Sequence, residues 1–233
     1  ATKGGGHGYY HCVVLAHSSV QEAYDLVFLG FELSDRYRTP TIILSDGMLG
    51  QMMEPLLVAR RSSLVSGNKK IVKKWALTGC KGRSPNLVKS FFMQEGELEE
   101  HNKLLQKNYE QIKRKEQRFQ GLHLEDADII LVAYGSQARI ARSVMMLLRK
   151  KGKKVGLLRP ISLWPFPKNI FESLLKKKRR SLRFFVIEMS YGQMVEDVRL
   201  TVNGRAPVEF YGRAGGGIPT EEEIIKKINR FAH

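Results

Sequence analysis

Apolar residues gather in short unbroken runs at some places along this chain and recur every three or four residues at others. The alternation of these two patterns predicts its elements. Residues 12–16 (CVVLA) and 41–46 (TIILSD) are short apolar runs flanked by polar or turn-forming residues, as buried strands require. Between them Val20, Ala23, Tyr24, Val27, Phe28 and Phe31 recur at helical spacing, so a helix running to about residue 37 is expected, with these six as its apolar stripe. Ser19 and Glu22 have the spacing of a capping box at its start, and Thr39-Pro40 ends it. Strand, helix and strand in this order predict a βαβ unit with parallel strands and a right-handed crossover.

From residue 54 to about residue 123 strand character fades into an extended connection. One helix is expected there, over residues 96–119, where Glu, Lys and Gln dominate. Partners such as Glu110–Arg114 at i,i+4 suit a solvated helix bracing two domains. After residue 127 the alternation becomes regular, with strands expected at 129–134, 155–158, 184–188 and 208–211. Helices are expected over about 136–151, 168–178 and 193–202, and a last one opens on the capping box of Thr220 and Glu223. Such alternation implies an α/β fold with a doubly wound parallel sheet, whose ligands or partners meet the carboxyl ends of the strands.

Composition narrows the class without naming a function. The 233 residues, 42% hydrophobic and 27% charged, are enough for two compact units with their own cores. A net charge of +16 invites a nucleic-acid reading. Much of the excess, however, lies in Arg149-Lys150-Lys151, Lys153-Lys154 and the run from Lys176 to Arg180, at expected helix ends and loops where cations meet the negative end of the helix dipole. The aromatic residues sit mostly inside apolar runs instead of forming a platform for bases. Nucleic acid therefore ranks below an anionic partner protein or a phosphorylated cofactor. Cys12 and Cys80 stand alone, and no Cys or His has a metal-ligand partner at suitable spacing, so no metal or cluster is expected on this chain. No apolar run reaches the roughly 20 residues needed to cross a bilayer, and a cytoplasmic protein is expected.

Four stretches are candidates for chemistry. Gly4 to Gly8 (GGGHG) resembles a phosphate loop but lacks a dinucleotide or P-loop pattern, and with no element before it the chain reads as starting inside a domain. Its glycines permit the close backbone approach that a cofactor cover or a subunit seam requires. Asp46 and Gly47 end a strand and lead into a loop with Gln51 and Glu54. Asp46 could serve a ligand there or cap the next turn, and the residues leave both readings open. Glu188 ends another strand, ahead of a helix carrying Gln193, Glu196 and Arg199; an interface or an i,i+3 ion pair both fit. Arg213 opens a glycine-rich turn into the last helix, which suits an anion or simply a turn. No catalytic triad or paired-carboxylate spacing stands out.

Several long stretches resemble one family, in one order. They are ATKGGGHG (1–8), SSVQEAYDL (18–26), ILSDGMLGQMMEP (43–55), WALTGCKGR (75–83), DADIILVAYGSQARIA (126–141), LRPISLWPFP (158–167), EMSYGQMVEDVRL (188–200) and NGRAPVEFYGR (203–213). The family is the alpha subunit of 2-oxoacid:ferredoxin oxidoreductases, the branched-chain 2-oxoisovalerate type nearest and the 2-oxoglutarate type next. The resemblance implies the C-terminal part of a thiamine-enzyme pyrimidine-binding domain at 1–55, a linker at 56–124 and a transketolase C-terminal-like domain at 125–233. It implies oxidative decarboxylation of a 2-oxoacid, 2-oxoisovalerate first and 2-oxoglutarate or pyruvate as alternatives, to an acyl-coenzyme A with reduction of ferredoxin. Thiamine diphosphate and Mg2+ would be shared with a beta subunit, and iron–sulfur clusters would lie on partner subunits. The implied partners are that beta subunit, gamma and ferredoxin-like delta subunits and ferredoxin, in a hetero-oligomer without nucleic acid or membrane.

The family's segment before the glycine loop, which carries its catalytic carboxylate, has no counterpart here, so the resemblance assigns no catalytic residue to this chain. It puts Gly5, Gly6, His7, Gly8, Asp46, Gly47, Gln51 and Glu54 at the cofactor or subunit seam. Glu188, Gln193, Glu196, Arg199 and Arg213 fall at a second-domain interface. Tyr9, His17 and Ala214 depart from the family's usual Asp, Pro and Met. A truncated, non-catalytic scaffold subunit and a nucleic-acid-binding domain are the competing readings.

Overall fold

A computed structural model describes residues 1–58, 73, 75–177 and 181–231. Two sheets organise the chain. The first has three strands in the order β2-β1-β6, from Thr41–Leu44, Val13–Ala16 and Ser162–Trp164. β1 and β2 are parallel and joined by α1 (Val20–Tyr37), the expected βαβ unit, whereas β6 runs antiparallel to β1. β1 is wholly buried because it lies between two strands; β2 is an edge and only half buried, contrary to the buried strand expected there.

The second sheet has five strands in the order β3-β5-β4-β7-β8. They are β3 (Phe119–Leu122), β5 (Val155–Pro160), β4 (Ile129–Val132), β7 (Arg183–Glu188) and β8 (Val208–Gly212). The last four are mutually parallel, and β3 is an antiparallel edge on β5. Helices α4 (Gly135–Lys150) and α7 (Glu221–Phe231) cover one face, around Leu131, Val144, Phe185 and Ile224; α5 (Lys168–Lys176) and α6 (Met194–Val202) cover the other, around Ile130, Phe171, Phe184 and Val198. The doubly wound three-layer arrangement follows the alternating pattern. The sheet is mixed because β3 is four residues long and mostly exposed, too short and too polar to show as a strand in the sequence.

Helix α1 begins where the capping box predicts: the Glu22 amide donates to Ser19 Oγ at 3.1 Å. The reciprocal bond moves by one residue, since Glu22 Oε2 accepts from the Ser18 amide at 2.8 Å. The expected apolar stripe is the wrong face. Leu26, Gly30, Leu33 and Tyr37 are buried, whereas Val27, Phe28 and Phe31 are exposed, Phe31 by 71%. Both faces of this helix are rich in apolar residues, so periodicity alone does not choose between them.

Helix α3 (Glu97–Lys115) lies within the expected range and sets Tyr109 and Ile112 into the core of the first sheet, beside Trp164. The expected Glu110–Arg114 pair does not form. Glu110 takes Lys113 at 2.8 Å, and the Arg114 side chain donates to the Glu110 carbonyl oxygen. Helix α2 (Gly47–Gln51), five residues long, replaces the expected loop after β2. At the end of the chain the capping box is complete: the Thr220 amide donates to Glu223 and the Glu223 amide to Thr220 Oγ1.

Both sheets draw a strand from across the middle of the chain. β6 lies beyond residue 125 and β3 before it. Among the described residues no helix is long and apolar enough to cross a membrane.

Candidate functional site

The carboxyl end of β2 and the amino end of α4 meet through one side chain. Tyr134, the residue before α4, offers no side-chain cap, which leaves the first amides of that helix unpaired. Asp46 supplies the cap from 90 residues away: its Oδ2 accepts from the Ser136 amide at 2.8 Å. Its Oδ1 accepts from the Leu49 amide at 2.9 Å and caps α2. Of the two readings left open for Asp46, the structure shows the cap, and it serves two helices. Gly135 permits this approach, with φ +62° and a missing Cβ that would lie 2.6 Å from Asp46 Oδ2. Ser136 is buried, and its Oγ reaches the sulfur of Met189, just past β7, at 3.4 Å. Gly47 and Gln51 remain exposed beside this junction.

Two further carboxylates of the first unit cross to the second. Glu54 accepts from the Val20 amide at 2.9 Å, completing the amino end of α1, and from Arg139 at 2.5 Å. The bond from Val20, followed by Arg139, holds its carboxyl below the usual range. Glu22 receives both arms of Arg159 at 2.9 and 2.7 Å, a fork geometry in which the guanidinium also donates to Gln120. Arg159 is 5% exposed, so this is a desolvated pair. A polar cleft of 640 Å3 runs between these residues and also takes in Arg142.

Glu188 is turned inward. It is 1% exposed and accepts from the Gln193, Met194 and Val195 amides and from Ser190 Oγ, all within 3.1 Å. The carboxylate expected at an interface is thus the cap of α6. Gln193 is exposed at that helix start, and Glu196 faces Lys3 at 3.5 Å, next to the closer Lys3–Asp197 pair at 2.9 Å. Arg199 is exposed. Arg213 bonds within its own turn, to the Ile218 carbonyl oxygen at 3.1 Å and to Glu223 at 3.2 Å.

The glycine loop forms a hairpin in which Gly5 and Tyr10 exchange backbone bonds at 3.0 and 2.9 Å. A Cβ on Gly5 would sit 2.5 Å from the end of the Tyr10 ring, so the two residues pack closely across the hairpin. Gln106 of α3 donates to the Gly8 carbonyl oxygen at 2.9 Å, and an 890 Å3 groove runs between His7, Gly8 and α3. His7 and Gly6 are exposed. Among the described residues the loop bonds to α3 and, through Lys3, to α6, and none of its bonds reaches Asp46, Gln51 or Glu54.

Where the ends of β2 and β4 approach α6, Leu44, Tyr134, Gln193 and Asp197 enclose a 260 Å3 cavity. Burial, then the nearby charges of Glu188 and Asp46, push the Tyr134 phenol up to about 12. Among the described residues no three His, Cys, Asp or Glu side chains gather as a metal site. Sequence reading missed Glu22, Arg139 and Ser136 as seam residues, because their partners lie 137, 85 and 90 positions away.

Comparison with known proteins follows the two halves. The family model "Pyruvate flavodoxin/ferredoxin oxidoreductase, thiamine diP-bdg" matches residues 9–120, and "Pyruvate:ferredoxin oxidoreductase core domain II" matches residues 127–224. The chain is 43% identical over 230 residues to ketoisovalerate oxidoreductase subunit VorB of Methanothermobacter marburgensis, covering 99% of this chain and 63% of that one. It is 34% identical over 197 residues to 2-oxoglutarate synthase subunit KorA of Archaeoglobus fulgidus, covering 83% and 54%. The fold is similar to that of 2-oxoglutarate:ferredoxin oxidoreductase from Magnetococcus marinus, solved with 2-oxoglutarate, coenzyme A and succinyl-CoA bound. There the TM-score is 0.70 at 19% identity, over 98% of this chain and 43% of that one. The chain spans just under two thirds of the length of the VorB subunit it matches.

Proposed function

Because the chain belongs to the 2-oxoacid:ferredoxin oxidoreductases, as an alpha-type subunit, we propose that it works in an assembly that oxidatively decarboxylates a 2-oxoacid to an acyl-coenzyme A and reduces ferredoxin. 2-Oxoisovalerate is the substrate favoured, with 2-oxoglutarate and pyruvate as alternatives. The observation that carries this reading is the joining of the two family domains, in family order, by Asp46, Glu54 and Glu22 across one seam. We assign 1–55 to a pyrimidine-binding domain, 56–124 to a connection and 125–233 to a transketolase C-terminal-like domain.

The residues of this chain do not by themselves fit thiamine diphosphate. Asp46, Glu54 and Glu188 are each engaged by backbone amides, and Glu54 by Arg139 as well, and among the described residues no three His, Cys, Asp or Glu side chains gather to hold a metal. No catalytic step is assigned to them. Their work is positional: they fix the amino ends of α2, α4, α1 and α6 at one side of the molecule. Exposed groups, Gly47 and Gln51 after β2 and Gln193, Glu196 and Arg199 on α6, then meet a partner, with Gly6 and His7 of the glycine loop as a separate contact beside α3. A beta subunit carrying the diphosphate and Mg2+ is the first such partner; gamma and delta subunits with iron–sulfur clusters and ferredoxin complete the proposed assembly.

The test is co-purification with a beta subunit, then 2-oxoacid-dependent reduction of a viologen dye with thiamine diphosphate, Mg2+ and coenzyme A. Turnover is expected, and comparing the three 2-oxoacids identifies the substrate. Association without turnover supports the second reading, a scaffold subunit, which the full engagement of the carboxylates favours. Absence of association overturns both.

A further inference from the structure

Below the glycine loop lies a 220 Å3 cavity apart from the seam; it adjoins the strand-end crevice, with which it shares Thr2, Leu163, Phe166 and Asp197. Its floor is the stacked pair His11 and Trp164, whose rings lie 4.4 Å apart at 10°. His11 is 6% exposed, and its Nε2 has no hydrogen-bond partner. Buried polar atoms are rarely left unpaired, so an imidazole kept in this state lacks a partner from outside the chain.

Leu163, Phe166 and Leu200 give the cavity apolar walls, and its charges nearly cancel. Lys3 is committed to Asp197 at 2.9 Å, and Lys113 to Glu110 at 2.8 Å. Lys168 feels Glu110 and Asp197 electrostatically but makes an ion pair with neither among the described residues. Lys168 is therefore the one lysine of the three lining the cavity that has no ion pair among the described residues.

We propose that this cavity binds a small monocarboxylate with an apolar body, the carboxylate between His11 and Lys168 and the body against Trp164 and Phe166. The unpaired Lys168 ammonium and the single imidazole supply two donors for one carboxylate, and the other two lysines are already held by carboxylates of the chain. Tyr9 stands edge-on to His11 at 4.5 Å and, 55% exposed, forms the rim of the cavity. Burial and Lys113 keep His11 neutral, as one donor.

Calorimetric titration of the protein, in the assembly in which it is isolated, with cyclohexanecarboxylate tests this. That probe has no 2-oxo group, so binding is read without turnover and independently of the proposed reaction. One saturable site per chain is expected, with cyclohexanol and inorganic phosphate at least about tenfold weaker. His11→Phe and Lys168→Gln should each weaken binding about tenfold while the melting temperature holds. Lys168→Gln decides if His11→Phe does not fold. Absence of saturable binding, equal binding of the alcohol or of phosphate, or unchanged affinity in Lys168→Gln overturns the proposal.

Discussion

Asp46 gives each of its oxygens to a different helix, so its loss removes two caps at once. An N-cap is worth about 1 kcal/mol, and Asp46→Ala should lower unfolding stability by about 2 kcal/mol in a urea titration. Asp46→Asn keeps one acceptor and should fall between the two. Gly135→Ala, on the other side of the same contact, adds a Cβ to a left-handed residue 2.6 Å from that carboxylate and should cost more than about 1 kcal/mol by the same titration. Glu116 offers a test by pH. It is 2% exposed; burial opposes its charge, but Tyr37 at 2.6 Å, Arg118 at 2.7 Å and Arg36 outweigh burial and hold its carboxyl below the usual range. A carboxyl depressed in this way stabilises the fold at every pH above its unfolded value, about 4.3, and the gain is lost as pH falls through the folded value. Glu116→Gln should therefore melt lower than the parent at pH 7, with the gap closing below about pH 4. Asp46 and Glu188 were legible in the sequence as strand-end carboxylates. Their partners were not: the amide that Asp46 caps in α4 is set by packing between distant segments, and a turn signal carries only local information.

At the scale of elements, pattern served where an element has one polar face and failed where it has none. Helices α4 to α7 and strands β4, β5, β7 and β8 lie within a few residues of expectation, because each alternates with a clear turn. Helix α1 has apolar residues on both faces, and the face that the pattern selected is the outer one. Leu33→Ala should thus cost about 2–5 kcal/mol by leaving a cavity in the first core, whereas Phe31→Ser, at 71% exposure, should move stability by less than about 0.5 kcal/mol. Thermal melts of the two variants side by side decide which face is inside. Strands β3 and β6 escaped notice for a different reason. They have four and three residues and pair antiparallel at sheet margins, and such short pieces carry no periodicity to detect.

Over the whole molecule, the +16 charge is spread along helix ends and loops, and part of it is already spent inside the chain. Arg149 bonds Asp126 at 2.6 Å and Lys153 bonds Asn229 at the same distance. The run from Lys176 to Arg180 extends beyond the described residues at 178–180. Ferredoxins are acidic as a class, and complementary charge speeds encounter more than it tightens binding. In the proposed assembly, replacing the five residues of that run by glutamate should slow ferredoxin reduction at low ionic strength and have little effect at high ionic strength, as read by stopped-flow absorbance. The regular alternation that builds the five-stranded sheet was legible from the change of pattern near residue 127, but the exchange of strands between the sheets was not. That exchange also bears on how the polypeptide is made. The central strand of the first sheet, β1, has β6 as one of its two neighbours, encoded about 150 residues later. On the ribosome the first sheet cannot close until residue 164 has emerged, so this sheet is completed only after β3, β4 and β5 of the second have already been translated.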